Sequence, residues 1–318
     1  MTIKTHKFVA GVLNLLVIVL SMQGLLAILN LNQPEIYART AFIVGLFYIL
    51  QILLMYDLHF KIPGALSRAR QKHENLAKSL GRNFKIWGSA FWDRIEHLRK
   101  WTFLRQWLNY LIVPGIIFWS TVSIFYIHFG FPKIQQLFAA LSSLALFLHY
   151  FYLKEMFLRK SEQIDQDIFV VLSVVKIYAS SIMFGAALAL VKRYCLDADY
   201  LVFGIFALTF LLIWQALYQH RYINFKNLLI TALIAFVMAF LGKVVLVYWG
   251  YNHFTAAVFM ATCYNFMWGI FHRQLDKALT LKALVEIILV SLIILGMVVS
   301  VTNFRAQLID DCQYELGL

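Results

Sequence analysis

Charge is what this sequence lacks. Only 14% of its 318 residues are Asp, Glu, Lys or Arg, against 62% that are apolar, and a soluble domain carries about a quarter charged residues. So few charges leave too little polar surface to cover a water-exposed globule of this size. Cysteine is scarce as well: Cys195, Cys263 and Cys312 are the only three, with no CxxC pair, which removes zinc knuckles and dithiol redox motifs from consideration. There is no P-loop, GxGxxG, GxSxG or HExxH, so the phosphate-binding, nucleophile-elbow and metalloprotease chemistries that need those spacings have no support. The HxxxH and HxxHH clusters of membrane desaturases, the Asp-rich repeats of membrane prenyltransferases and the EExxxR pattern of intramembrane CAAX-type proteases are missing too.

What is present is long apolar blocks. No charged residue occurs from Phe8 to Pro34, from Trp107 to Pro132, from Ile134 to Leu153 or from Tyr200 to Tyr218. Each approaches or exceeds the roughly 20 residues that carry a helix across hydrocarbon, and none shows the strict alternation of a β-barrel strand. The fold class expected is all-α: a polytopic helical membrane protein of about nine transmembrane helices (8–10), near 8–29, 37–58, 107–128, 134–154, 168–191, 199–219, 227–249, 254–272 and 283–303. The short basic start at Lys4 and Lys7 precedes an apolar run too long for a signal-peptide core, and it reads as a retained first span. Residues 1–318 read as a single transmembrane domain without repeats or linkers.

The basic residues orient this bundle. With the N-terminus cytoplasmic, 21 of the 28 Lys and Arg fall in inside segments and five in outside segments, while Lys176 and Lys243 fall within spans. That asymmetry is the positive-inside signature, and it puts the C-terminus outside. The net charge of +12 then follows from topology and asks for no nucleic-acid partner. Eleven of the basic residues lie between Lys61 and Arg105, together with Trp87, Trp92 and Trp101 and, just beyond them, Trp107. Ile62, Leu66, Ala69, His73, Leu76 and Leu80 step along one helical face. Segment 61–107 is therefore expected to be amphipathic, to lie on the inner leaflet against anionic lipid, and to offer a cytoplasmic surface to a protein partner.

Charges and amides inside hydrocarbon must be accounted for. Lys176 lies about 12 Å into the fifth span, with Ser173 and Ser180 on its face. On the eighth span Thr255, Thr262, Asn265, Gly269 and His272 form another polar stripe. Lys176, Ser173, Ser180, His149, Thr262 and Asn265 are the candidate binding residues. Lys243 reads as a snorkelling lysine, and Lys282 with Glu286 as an i,i+4 ion pair. His59, His149, His220 and His272 all stand at the cytoplasmic ends of even-numbered spans, near Asp57, Glu155 and Asp276. These are ligand types for zinc or iron, which makes a metal, or a haem between His149 and His272, the candidate cofactor. Cys195 and Cys312 share the outer side, where a disulfide can form.

Three functions compete on this reading. The first is binding or transport of a small or lipid-like molecule within the bundle. The second is a membrane-embedded lipid-modifying enzyme with a cytoplasmic-face His/carboxylate site, and the third a non-catalytic assembly subunit. The short-looped chain points to a prokaryotic plasma (inner) membrane.

Overall fold

The computed structural model describes residues 3–31, 33–49, 101–128, 130–158, 166–219, 222–249 and 252–302. Among these residues the chain is entirely helical, without strands. The helices are α1 (Ile3–Asn30), α2 (34–49), α3 (Trp101–Ile127), α4 (Pro132–Leu158), α5 (Gln166–Tyr194), α6 (Ala198–Gln219), α7 (Phe225–Tyr248), α8 (His253–Leu275) and α9 (Leu281–Ser300). Helices alone satisfy every backbone polar group within one segment, which hydrocarbon demands. Among the described residues six stretches are long and apolar enough to cross a membrane: Pro132–Tyr152, Val170–Tyr194, Ala198–Tyr218, Phe225–Tyr248, His253–Leu275 and Leu281–Ser300. Asn14–Asn30 and Leu111–Ile127 are shorter apolar stretches. The chain is a multi-pass helical membrane protein.

The ends of the helices follow local chemistry. Asn224, Asn252 and Thr280 cap α7, α8 and α9, each accepting a hydrogen bond from the backbone N–H three residues on, so orphan donors of the first turn are met. The α3–α4 turn passes through Gly130 at φ +91, a left-handed conformation that glycine adopts without a Cβ penalty. Helix α3 starts at Trp101, six residues before the expected edge of the third span, so the end of the basic segment continues into it. It then runs unbroken through Pro114, although that residue has no N–H to donate back to the preceding turn.

Helix α5 is the centre of the bundle and packs against α3, α4, α6 and α8. Helices α1 and α4 pair on one side, α7 lies on α6 and α8, and α9 touches α8 at the periphery. Only Ala283 and Val298 of α9 are buried. Because lipid is as apolar as leucine, close backbone approach rather than hydrophobicity favours such contacts. At the α5–α8 crossing, a Cβ added to Gly185 would lie 3.3 Å from that of Ala257. Polar bonds tie the remaining helices. Tyr37 donates to the Val122 carbonyl at 2.8 Å, and Tyr48 to the Ile18 carbonyl at 3.3 Å, holding α2 on α3 and α1. Gln23 and Gln136 exchange amide hydrogen bonds between α1 and α4. The hydroxyls of Thr121, Ser142 and Tyr178 form a chain with 2.6 Å links that joins α3, α4 and α5.

Candidate functional site: a lateral cleft and a polar chain at one of its ends

Where α3, α5 and α6 diverge they leave a cleft of about 990 Å³. Its floor is made of small side chains, Gly115 and Ser120 from α3 with Ala186 and Ala187 from α5. Its walls are bulky: Trp119, Met183, Leu211 and Trp214. Nothing would lie within 4 Å of a Cβ at Gly115, so the missing side chain is open space belonging to the cleft. Ile223 and Leu228 close it at the end where α6 finishes and α7 begins. Lining polarity comes from Ser120 and Ser123, and Ser123 donates to the Trp119 carbonyl of its own helix at 2.9 Å. The cleft thus has the size of a ligand site and an almost wholly apolar lining.

A second, smaller cavity of about 100 Å³ lies across α3, sharing Leu111, Gly115 and Trp119 with the cleft. Asn14, Tyr48, His149 and Tyr150 line it, and Asn14 and His149 are 2% and 1% exposed. These low exposures place an amide and an imidazole in an otherwise apolar space among α1–α4.

Beside the Ile223 end of the cleft runs a chain of polar side chains. Tyr222 donates to Asp276 Oδ1 at 2.8 Å, and His272 Nδ1 lies 3.5 Å from Asp276 Oδ2. One carboxylate therefore bridges the α6–α7 connection to the last turn of α8. Accepting that bond, Asp276 holds the Tyr222 phenol above its usual pKa. The ring of Trp268 packs on His272 at a 5.2 Å centroid distance. Lys176, half-buried on α5, stands close enough for its charge to act on the His272 imidazole. Tyr222, Asp276 and His272 thus form a sequence of phenol, carboxylate and imidazole running from the α6–α7 connection to the last turn of α8.

Of the residues singled out from the sequence, His272 and Asp276 meet at the end of α8, and Lys176 stands half-buried on α5. Ser180 is fully buried and donates to the Ile177 carbonyl, whereas Ser173 is exposed. Thr262 and Asn265 donate to Val258 and Ala261, the carbonyls one turn back on α8. Each thereby spends a hydrogen on its own helix, a common way for such residues to be satisfied in lipid. Gly269 faces Ile287 of α9 rather than α5. His149 sits in the α1–α4 cavity, apart from the His272 chain. His59, His220 and Asp57 lie outside the described residues, as does most of the 61–107 segment. Among the described residues no three His, Cys, Asp or Glu side chains come together as metal ligands. Lys243 pairs with Asp199 at 3.6 Å, both exposed. The expected Lys282–Glu286 pair is not made, since both side chains extend into the surroundings of α9. Cys195 is disulfide-bonded and Cys263 is a free thiol, while Cys312 lies outside the described residues.

The cleft left only a faint trace in the sequence: small residues at Gly115, Ser120 and Ser123 of one span and at Ala186 and Ala187 of another. Compared with protein-family models, with curated proteins and with solved structures, the chain matches none of them.

Proposed function

We propose that this protein is a nine-span carrier or receptor that binds one lipid-like amphiphile in the cleft between α3, α5 and α6. The observation that carries the reading is the cleft itself, a space of about 990 Å³ with small residues beneath and tryptophans at its sides. Its lining suits an acyl or polyprenyl chain and offers almost nothing to a polar solute. Selectivity then rests with the headgroup, since a chain gains little by leaving one apolar medium for another. Lys226, exposed between the lining residues Ile223 and Leu228, favours an anionic headgroup there.

The orientation goes with this reading. An N-terminus inside and a C-terminus outside, in a prokaryotic plasma membrane, put the Tyr222–Asp276–His272 chain and Lys226 at the inner leaflet. The distribution of Lys and Arg supports this. So does the disulfide at Cys195, which falls just past the opposite end of α5 and belongs in an oxidising compartment. On this orientation the basic composition of segment 61–107 suits the same anionic leaflet and a cytoplasmic protein partner.

A second reading, an enzyme acting on that headgroup, is favoured by one observation. Asp276 orients His272 through Nδ1, the arrangement by which a carboxylate sets an imidazole for proton transfer.

The test is native mass spectrometry of the full chain released from nanodiscs of phosphatidylethanolamine and phosphatidylglycerol. One retained lipid per chain is expected, and Ala186→Phe, which fills the cleft floor, should remove it. Equal lipid retention by wild type and Ala186→Phe would overturn the proposal.

A further inference from the structure

At the end of the bundle opposite the His272 chain, two histidines from distant parts of the chain meet. His128 follows the last turn of α3 and His253 opens α8, 125 positions apart. Their Nε2 atoms are 3.1 Å apart while their ring centres are 5.1 Å apart, so it is the nitrogen edges that face each other, not the ring faces. The arrangement is held from several sides. The ring of Phe254 stacks on His128 at 5.0 Å and an interplanar angle of 15°. Phe138 of α4 stacks on Phe254 in turn, and Phe131 meets His128 edge-on. His128 is only 8% exposed. The Gly130 turn lets the chain reverse directly beneath it.

Two imidazole nitrogens that face each other share either a proton or a metal ion. Zinc–nitrogen bonds of about 2.0–2.1 Å at a tetrahedral angle hold two ligand nitrogens about 3.3 Å apart. The observed separation is within a few tenths of an ångström of that spacing, and the pair reaches it across 125 residues with both rings clamped by aromatics. We infer that His128 and His253 form a binding site for a late first-row divalent cation, zinc in the first instance, with water completing the coordination. Copper(II) and nickel(II) favour the same imidazole ligands. The aromatic shell fixes the two rings, the role that surroundings play at metal sites generally. Bound there, the ion would pin the α3–α4 turn to the start of α8.

The experiment uses the full chain purified through a tag without histidines and stripped with chelator. Zinc sulfate is titrated in by calorimetry at pH 7.5, and cobalt(II) is followed by its visible absorption. One ion per chain is expected, with at least tenfold weaker binding in His128→Ala and, separately, in His253→Gln. Binding should also fall on moving to pH 5.5, where imidazoles protonate and cease to be ligands. If wild type takes up no more zinc than the double variant, or if each single variant binds as wild type does, the site is refuted and the pair shares only a proton. Should His128→Ala fail to fold, the comparison rests on His253→Gln and on the wild-type melting temperature with and without zinc. That temperature should rise on binding, and no rise contradicts the proposal.

Discussion

Replacing Gln215 by leucine should make this protein more stable. Gln215 is fully buried on α6, among Leu212, Ile213, Ala216 and Leu217, which are each no more than 1% exposed. Neither its amide nitrogen nor its amide oxygen meets a hydrogen-bonding partner. A buried donor or acceptor left unsatisfied costs about 1–3 kcal/mol, so the two atoms together cost about 2–6 kcal/mol on the same scale. Leucine fills a similar volume and carries neither group. Part of the gain is offset because the membrane-inserted unfolded chain is itself largely out of water, so unfolding relieves the amide's desolvation only in part. The expected net effect is roughly 1–3 kcal/mol of stabilisation, once that offset and partial relaxation are taken from the ceiling. At roughly 2 °C per kcal/mol for a chain of this size, the melting temperature should rise by about 2–6 °C. The assay is thermal unfolding in nanodiscs followed by intrinsic tryptophan fluorescence, with Gln215→Glu as the opposite perturbation. A lower melting temperature for Gln215→Leu than for wild type would show that the amide is satisfied in the native protein and would refute the reasoning.

Further outcomes follow from the same geometry. Gly185→Leu should wedge α5 from Ala257 of α8 and lower stability by about 1–3 kcal/mol, the usual cost of overpacking; the same unfolding assay reads it. Tyr222→Phe removes one hydrogen bond to Asp276 and should lower stability at neutral pH. The phenol's pKa is raised in the folded state, so its contribution is fully present below the unfolded tyrosine value of about 10 and is lost as pH rises beyond it. Wild type and Tyr222→Phe should therefore differ at pH 7 and converge at strongly alkaline pH, as measured by unfolding across that range. Thiol labelling from outside should reach a cysteine introduced at the C-terminus and none introduced between Lys61 and Arg105; labelling of the latter in intact cells contradicts the inside assignment.

The helices were legible because hydrocarbon imposes a crude rule: uncharged blocks of about 20 residues. The expected spans at 134–154, 199–219 and 227–249 match Pro132–Leu158, Ala198–Gln219 and Phe225–Tyr248 to within a few residues. The start of α3 was missed because residues 101–106, Arg105 among them, still form helix, and hydropathy reports polarity rather than backbone conformation. The position of His272 in the last turn of its helix was readable, since it depends on distance along one helix. Which side chains face one another depends on how α5 and α8 turn to each other, where Gly185 and Ala257 allow a close approach. Tyr222 was invisible for the same reason: its partner Asp276 lies 54 positions away. The cleft was hidden because it is a property of three helices diverging, and the residues that form its floor look like ordinary small residues of a helix interface.

The most direct test of the lipid-site reading is photo-crosslinking with a diazirine-bearing phosphatidylglycerol in nanodiscs, mapped by peptide mass spectrometry. Helix α9 is an internal reference, being apolar and almost entirely exposed. Label concentrated on 111–123 and 183–190 well above Leu281–Ser300, and lost from both in Ala186→Phe, is the predicted result. Label spread over α9 as densely as over the cleft, and unchanged by Ala186→Phe, would contradict it.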